Sequence, residues 1–143
     1  MSIPGIPGES TDATHAGKIV LVSCEWSFET QVSPETGGLV SPLLPRLIQI
    51  NKSLDRSTPL LIQAAGTNAT LPTCEILGLK AIAGGSVETL WRLVLGGVRV
   101  ERITQSFNVG GPRPLDQLSL SYSTIQVDMG PKADGSNRYT FSA

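Results

Sequence analysis

Residues 115–129 read LDQLSLSYSTIQVDM, and their apolar positions change parity partway along. Leu118, Leu120 and Tyr122 fall on even numbers, then Ile125, Val127 and Met129 on odd ones. Side chains along a strand alternate between two faces, so one flat strand cannot keep both sets on the same side. The run must therefore contain a bulge or a sharp bend, of the kind that forms the corner of a barrel.

Upstream, residues 18–30 (KIVLVSCEWSFET) alternate along most of their length. Val20, Val22, Cys24, Trp26 and Phe28 share one face, and Ser23, Glu25, Ser27 and Glu29 the other. Ile19 and Leu21 make the second face apolar at its start, which predicts contact with a partner as well as with a core. Further strands are read at 46–54, 73–81 and 87–95, with a turn at Gly84-Gly85-Ser86. The pair Gly96-Gly97 predicts a tight turn, from which 98–107 returns as the second arm of a hairpin. Residues 108–114 read as a loop, 130–137 as a turn and 138–142 as a last strand. One helix is predicted at about 58–66. Ser57 or Thr58 suits its N-cap, Pro59 its first turn and Gly66 its C-terminal cap, while Leu60, Leu61 and Ala64 form an apolar stripe. Seven or so strands and one short helix define a mainly β fold. The architecture implied is an antiparallel β-barrel, closed or nearly so, formed by a single domain over residues 1–143.

Composition narrows the function. Hydrophobic residues make up 40% of the 143, but aromatics only 5%, so aliphatic side chains must fill the core. Charged residues are 16%, below the roughly 25% usual for soluble domains, which leaves neutral surface for something to cover. The net charge is −1 and no basic block exists, which argues against nucleic-acid binding. No apolar run is long enough for a helix to insert in a membrane. The opening MSIPGIPG lacks the charged and apolar regions of a signal peptide, which predicts synthesis in the cytoplasm.

Gly8-Glu9-Ser10-Thr11-Asp12-Ala13-Thr14-His15 holds the only histidine of the chain and raises the question of a Ser-His-Asp site. No serine lies in a GxSxG elbow, and sequence proximity on a loop is not triad geometry. The structural reading is favoured: Glu9, Ser10, Thr11 and Asp12 bond backbone amides in a tight turn, and His15 adds another bond. One histidine and two separated cysteines, Cys24 and Cys74, give no metal set, and no cofactor motif is present. The cysteines read as buried free thiols and Trp26 and Trp91 as core. Nothing points to an enzyme.

Residues 31–45 (QVSPETGGLVSPLLP) carry three prolines and two adjacent glycines, so they read as a loop. Yet Val32, Leu39, Val40, Leu43 and Leu44 are apolar. The loop either folds back on its own core or docks on another subunit.

Taken in order, the motifs resemble the Hcp (haemolysin-coregulated protein) family of type VI secretion. The first is Gly8, Glu9, Ser10, Asp12, His15, Ile19, Ser23 and Trp26 within GESTDATHAGKIVLVSCEWSF. The second is Asp55, Ser57 and Leu60 or Leu61 in DRSTPLLIQAAGTN. The third is Tyr122, Ile125 and Val127, with Met129 where relatives have an aromatic. The resemblance implies a homohexameric ring with a wide channel, stacked into the inner tube of a contractile machine. Its implied partners are other copies, a contractile sheath and baseplate, a VgrG spike and effector proteins in the lumen. Export by the machine would replace a signal peptide. Ile19 and Leu21 become candidates for a subunit contact, and Val32, Leu39, Val40, Leu43 and Leu44 for ring stacking. Gly8, Glu9, Ser10, Asp12 and His15 become the structural turn. Relatives carry several aliphatic residues before the position of Ser2, which implies a shortened first strand and weaker barrel closure here. A phage-type tail tube protein, or a stand-alone β-barrel that binds a ligand or peptide, is the alternative.

Overall fold

The computed structural model describes residues 1–130, 135 and 137–142. In chain order the elements are β1 (Leu21–Glu25), β2 (Phe28–Glu29), β3 (Leu44–Pro45), β4 (Ile48–Ser53), α1 (Thr58–Gly66), β5 (Leu71–Ala81), β6 (Val87–Ser106), β7 (Leu115–Ser121), β8 (Thr124–Met129) and β9 (Asn137–Ser142). All strand pairs are antiparallel. The predicted turn at 130–137 lies largely outside the described residues.

The parity change in 115–129 corresponds to a break between β7 and β8. Leu118 and Leu120 are buried before it, Ile125 and Val127 after it. Both strands pair with the same partner, β6, which runs for 20 residues. The hairpin predicted at Gly96-Gly97 is therefore absent, because the chain continues through both glycines. What looked like a turn is a bend inside one strand. Gly97 has φ of 61°, and a Cβ there would lie 2.7 Å from Ser123 Oγ. A Cβ on Gly96 would lie 2.5 Å from Thr124 Oγ1, and Ser123 N donates to Gly96 O at 2.9 Å. The glycines thus sit opposite the β7/β8 break and let the two chains approach where the sheet turns its corner.

One half of the sheet has the order β1-β4-β7-β6 and the other β5-β6-β8-β9. The seam between β5 and the run into β1 is bridged by Met1 and Ser2. Ser2 exchanges two backbone bonds with Glu75, at 2.7 and 2.9 Å, and Met1 exchanges two with Ile19, at 2.7 and 2.8 Å. The weak closure implied by the resemblance is thus met by backbone pairing, and Met1, Ile3 and Ile6 are buried.

Inside lie Ile48, Ile50, Cys74, Ile76, Leu93, Leu95, Val98, Leu118, Leu120 and Ile125, each at most 1% exposed. Burying an aliphatic side chain of this size stabilises by about 1.5–3 kcal/mol. Helix α1 covers this core with Leu61 and Ala64. Its left-handed C-terminal residue is Asn68 (φ 51°), not Gly66. Among the described residues no helix is long and apolar enough to cross a membrane. Trp91 lies over Gly78, where a Cβ would fall 2.0 Å from the indole, and stacks at a tilt on Trp26 with centroids 4.9 Å apart.

Gly78→Ala is expected to displace Trp91 and lower stability by about 1–3 kcal/mol, read as a shifted urea midpoint and altered tryptophan fluorescence. Gly66→Ala meets open space in a helical conformation, and the same measurement should show no loss, or a gain of about 0.4–1 kcal/mol.

Candidate subunit interface

The turn at residues 8–19 is built by backbone pairing. Gly8 N donates to Gly17 O, Ser10 N to Lys18 O and Gly17 N to Ser10 O, at 2.8, 3.0 and 2.8 Å. Gly8 is required sterically, since a Cβ would sit 2.4 Å from Lys18 O. Asp12 Oδ1 accepts from Thr14 N, Thr14 Oγ1 and His15 N, and faces His15 Nδ1 at 2.8 Å. The Thr14 hydroxyl above all, with His15 and the Thr14 amide, lowers the Asp12 carboxyl to about 2. Ser10 Oγ accepts from Asp12 N at 3.3 Å. His15 Nδ1 is committed to Asp12 and Thr14, so the three side chains form a capped turn rather than a nucleophile–base pair.

The turn is tied to the segment before α1. Glu9 Oε1 accepts from Arg56 N at 3.1 Å, and Gly8 O from Arg56 Nε at 2.9 Å. Next to it lies a buried ionic cluster that the motif reading missed. Lys52 Nζ has four oxygens within 3.0 Å: Asp116 Oδ2, Asp55 Oδ1, Ser53 O and Thr58 Oγ1. Thr58 passes the link on, donating to Asp116 Oδ2 at 2.5 Å, while Gln105 Nε2 donates to Oδ1. Burial pushes the Asp55 carboxyl up, but bonds from Ser57 and Lys52 outweigh it and leave it below its ordinary range. The predicted N-cap is altered accordingly. Ser57 occupies the position, but its hydroxyl and amide both bond Asp55. A sequence signal did exist: the alternation that puts Ile48 and Ile50 inside also puts Lys52 inside, and Leu118 and Leu120 imply Asp116.

A second chain of charges crosses the other half of the sheet. Lys18 meets Glu75 at 3.7 Å, Glu75 meets Arg92 at 2.7 Å, and Arg92 and Arg138 both reach Asp128. The Arg138 bond holds the Asp128 carboxyl low. Cys24 and Cys74 are free thiols pushed up by burial to about 11 and about 12, so both stay protonated at neutral pH.

Residues 31–45 prove to be more than a loop. β2 pairs with β3, Val32 bridges Leu39, and Val40 N donates to Gln31 O at 2.7 Å. The Arg46–Glu29 ion pair and the edge contact of Phe28 with Tyr139 fasten the base of this arm. Leu43 and Leu44 are half-buried near the base, while Val32, Leu39 and Val40 are exposed. The base of the segment is therefore partly covered by its own chain, and its tip is not.

The pair proposed at the strand start needs correction. Ile19 is 1% exposed and belongs to the core. A bulge at Val22 shifts the pairing with β4, so inward parity is odd at Ile19 and even from Cys24 onward. The bulge leaves Leu21 half-buried and turns Val20 and Val22 outward. Phe107, which reads as the end of a strand in the sequence, and Val109, in the predicted loop, both lie in the connection before β7 and are exposed.

The surface of this mainly β module thus presents sheet edges, an arm, exposed apolar side chains and an open cavity of about 400 Å³ lined in part by Ser10, Asp12 and His15, whose Nδ1 is already bonded to Asp12. The chain belongs to the Hcp family: residues 1–129 match the family model described as type VI secretion system effector, Hcp. Proteins of this family are structural tube components, not enzymes. The chain is 29% identical over 140 residues to protein hcp1 of Pseudomonas aeruginosa, covering 94% of this chain and 85% of that one. A mutant Hcp1 from the E. coli EAEC 042 pathovar superposes with a TM-score of 0.85 at 22% identity, over 99% of this chain and 93% of the other. The secreted protein Hcp3 of P. aeruginosa gives a TM-score of 0.71 at 15% identity, over 98% and 87%.

Lys52→Met should cost about 3–5 kcal/mol in chemical denaturation, because Asp116 and Asp55 keep their burial without their cation. Lys52→Met with Asp116→Leu should recover part of that loss. For the turn, the folded Asp12 titrates below its ordinary unfolded value. Its contribution is therefore full above about pH 4 and is lost as pH falls toward 2. The thermal midpoint difference between the native chain and Asp12→Asn should shrink over that window.

Proposed function

We propose that this chain is an inner-tube protein of a type VI secretion machine, forming homohexameric rings that stack into a tube. The observation that carries the reading is the arm, which holds Val32, Leu39 and Val40 in water on a well-fastened base. Apolar side chains held away from their own core are stabilised when another surface covers them. The arm tip is assigned to the neighbouring ring, and Val20 and Val22, with half-buried Leu21, to the neighbouring subunit. The single domain supplies one wall segment, a VgrG spike caps the tube, a sheath and baseplate surround it, and effector proteins travel in the lumen. The tube is secreted by the machine that contains it.

Native mass across a concentration series tests the ring. Six chains of 15.1 kDa give a species of roughly 90 kDa. A monomer at every concentration would overturn the tube reading and favour a stand-alone binding module. Leu39→Asp with Val40→Asp should leave the ring mass and the thermal midpoint unchanged but abolish stacked rings in electron micrographs. Stacks formed as before would remove the arm from the interface.

A further inference from the structure

The half-sheet β1-β4-β7-β6 has two open edges. Among the described residues no strand pairs with β1 on the side away from β4, and the pairing of β6 with β5 ends at Val98. Residues 99–106 of β6 are therefore paired on one side only, with β7. The four strands alternate in direction, so β1 and β6 run oppositely. If a second copy is placed head to tail, its β1 lies antiparallel to the first copy's β6. Every neighbour in the extended sheet then keeps the same relation.

The outward face of this half-sheet has two complete rows across the four strands. One is Glu25, Gln49, Ser119 and Arg102, and the next is Ser23, Asn51, Gln117 and Thr104. The interior of the rows is neutral and self-satisfied: Asn51 donates to Ser23 Oγ at 2.8 Å and Ser119 to Gln49 Oε1 at 2.7 Å. Only the two ends of the first row are charged, Glu25 on the β1 edge and Arg102 on the β6 edge. Both are exposed, and neither makes an ion pair among the described residues. Three inter-strand steps of about 4.8 Å separate them by roughly 14 Å, too far to meet within one chain. Glu101, beside Arg102, is turned to Ser121, whose hydroxyl it accepts at 2.5 Å.

Each open edge also carries a bulge, at Val22 in β1 and at Glu101 in β6. A bulged edge resists indiscriminate strand addition and limits pairing to a register that fits. Apolar groups flank both edges: Val20 and Val22 beside β1, and exposed Ile62 on α1, which packs along β6.

Building on the tube reading, in which these edges meet a second copy of this chain, we propose that one ion pair sets how the two edges align. In that contact Glu25 of one copy pairs with Arg102 of the next and sets its register. The contact is heterologous, so it propagates around a ring, and opposite charges at the two edges oppose the like-edge arrangement.

Charge reversal tests the pair by native mass and sedimentation, with circular dichroism to confirm folding. Glu25→Arg and Arg102→Glu, each alone, bring like charges together at every junction and should raise the concentration for half-assembly roughly tenfold or more. In a ring where the two single variants alternate, every junction pairs opposite charges, so mixing them should restore assembly, as should both reversals in one chain. If the native chain and both single variants assemble equally well, the pair is overturned and the tube reading stands. If single variants fail but neither the mixture nor the double reversal recovers, the pairing is likewise overturned. A native chain that never assembles overturns the tube reading and the pair together.

Discussion

β6 is shared by both halves of the barrel, and the bend at Gly96-Gly97 is what allows the sharing. Before the bend the strand pairs with β5 and β8; beyond Val98 it pairs with β7 alone. A side chain at either glycine would press on Ser123 or Thr124 in the chain opposite. The corner therefore needs two absent side chains on one strand and a break on the other, and these coincide in space. From that corner follow the inward aim of Leu118 and Leu120 on one side and of Ile125 and Val127 on the other. The open lower edge of β6 follows too, since β5 leaves β6 where the sheet turns.

The opening turn, the helix start and the sheet are joined by polar bonds. Glu9 and Gly8 hold Arg56, Asp55 holds Ser57, and Lys52 gathers Asp55, Thr58 and Asp116. Among the described residues no buried side-chain nitrogen or oxygen lacks a partner. A buried ammonium has few arrangements that satisfy it, so the cluster constrains where α1 begins more sharply than aliphatic packing alone. A motif that invites a catalytic reading is thus a structural joint between a turn and a helix.

The outer features divide in the same way. Neutral amides and hydroxyls occupy the open face of one half-sheet and satisfy one another, whereas the other half carries an ion-pair chain from Lys18 to Arg138. Unsatisfied character is concentrated at the margins: the open edges of β1 and β6, the arm tip, and Phe107 and Val109. Margins of this kind suit the self-assembly proposed for this chain.

The amino-acid sequence by itself determined the fold class, the helix at 58–66 and the need for a corner in 115–129, because these depend on local periodicity and turn chemistry. It also carried the family, through motifs spaced along the whole chain. Tertiary structure decided the rest. Gly96-Gly97 reads equally well as a tight turn or a bend, and only the partner strand distinguishes them. Ile19 and Val20 exchanged faces because a bulge at Val22 is a property of the pairing with β4, not of β1 alone. Lys52 and Asp116 lie 64 positions apart, and their charges suggest surface until the strand register places them together. The residues at the margins are ordinary in sequence. What distinguishes them is an edge left without a partner, and an edge exists only once the sheet has formed.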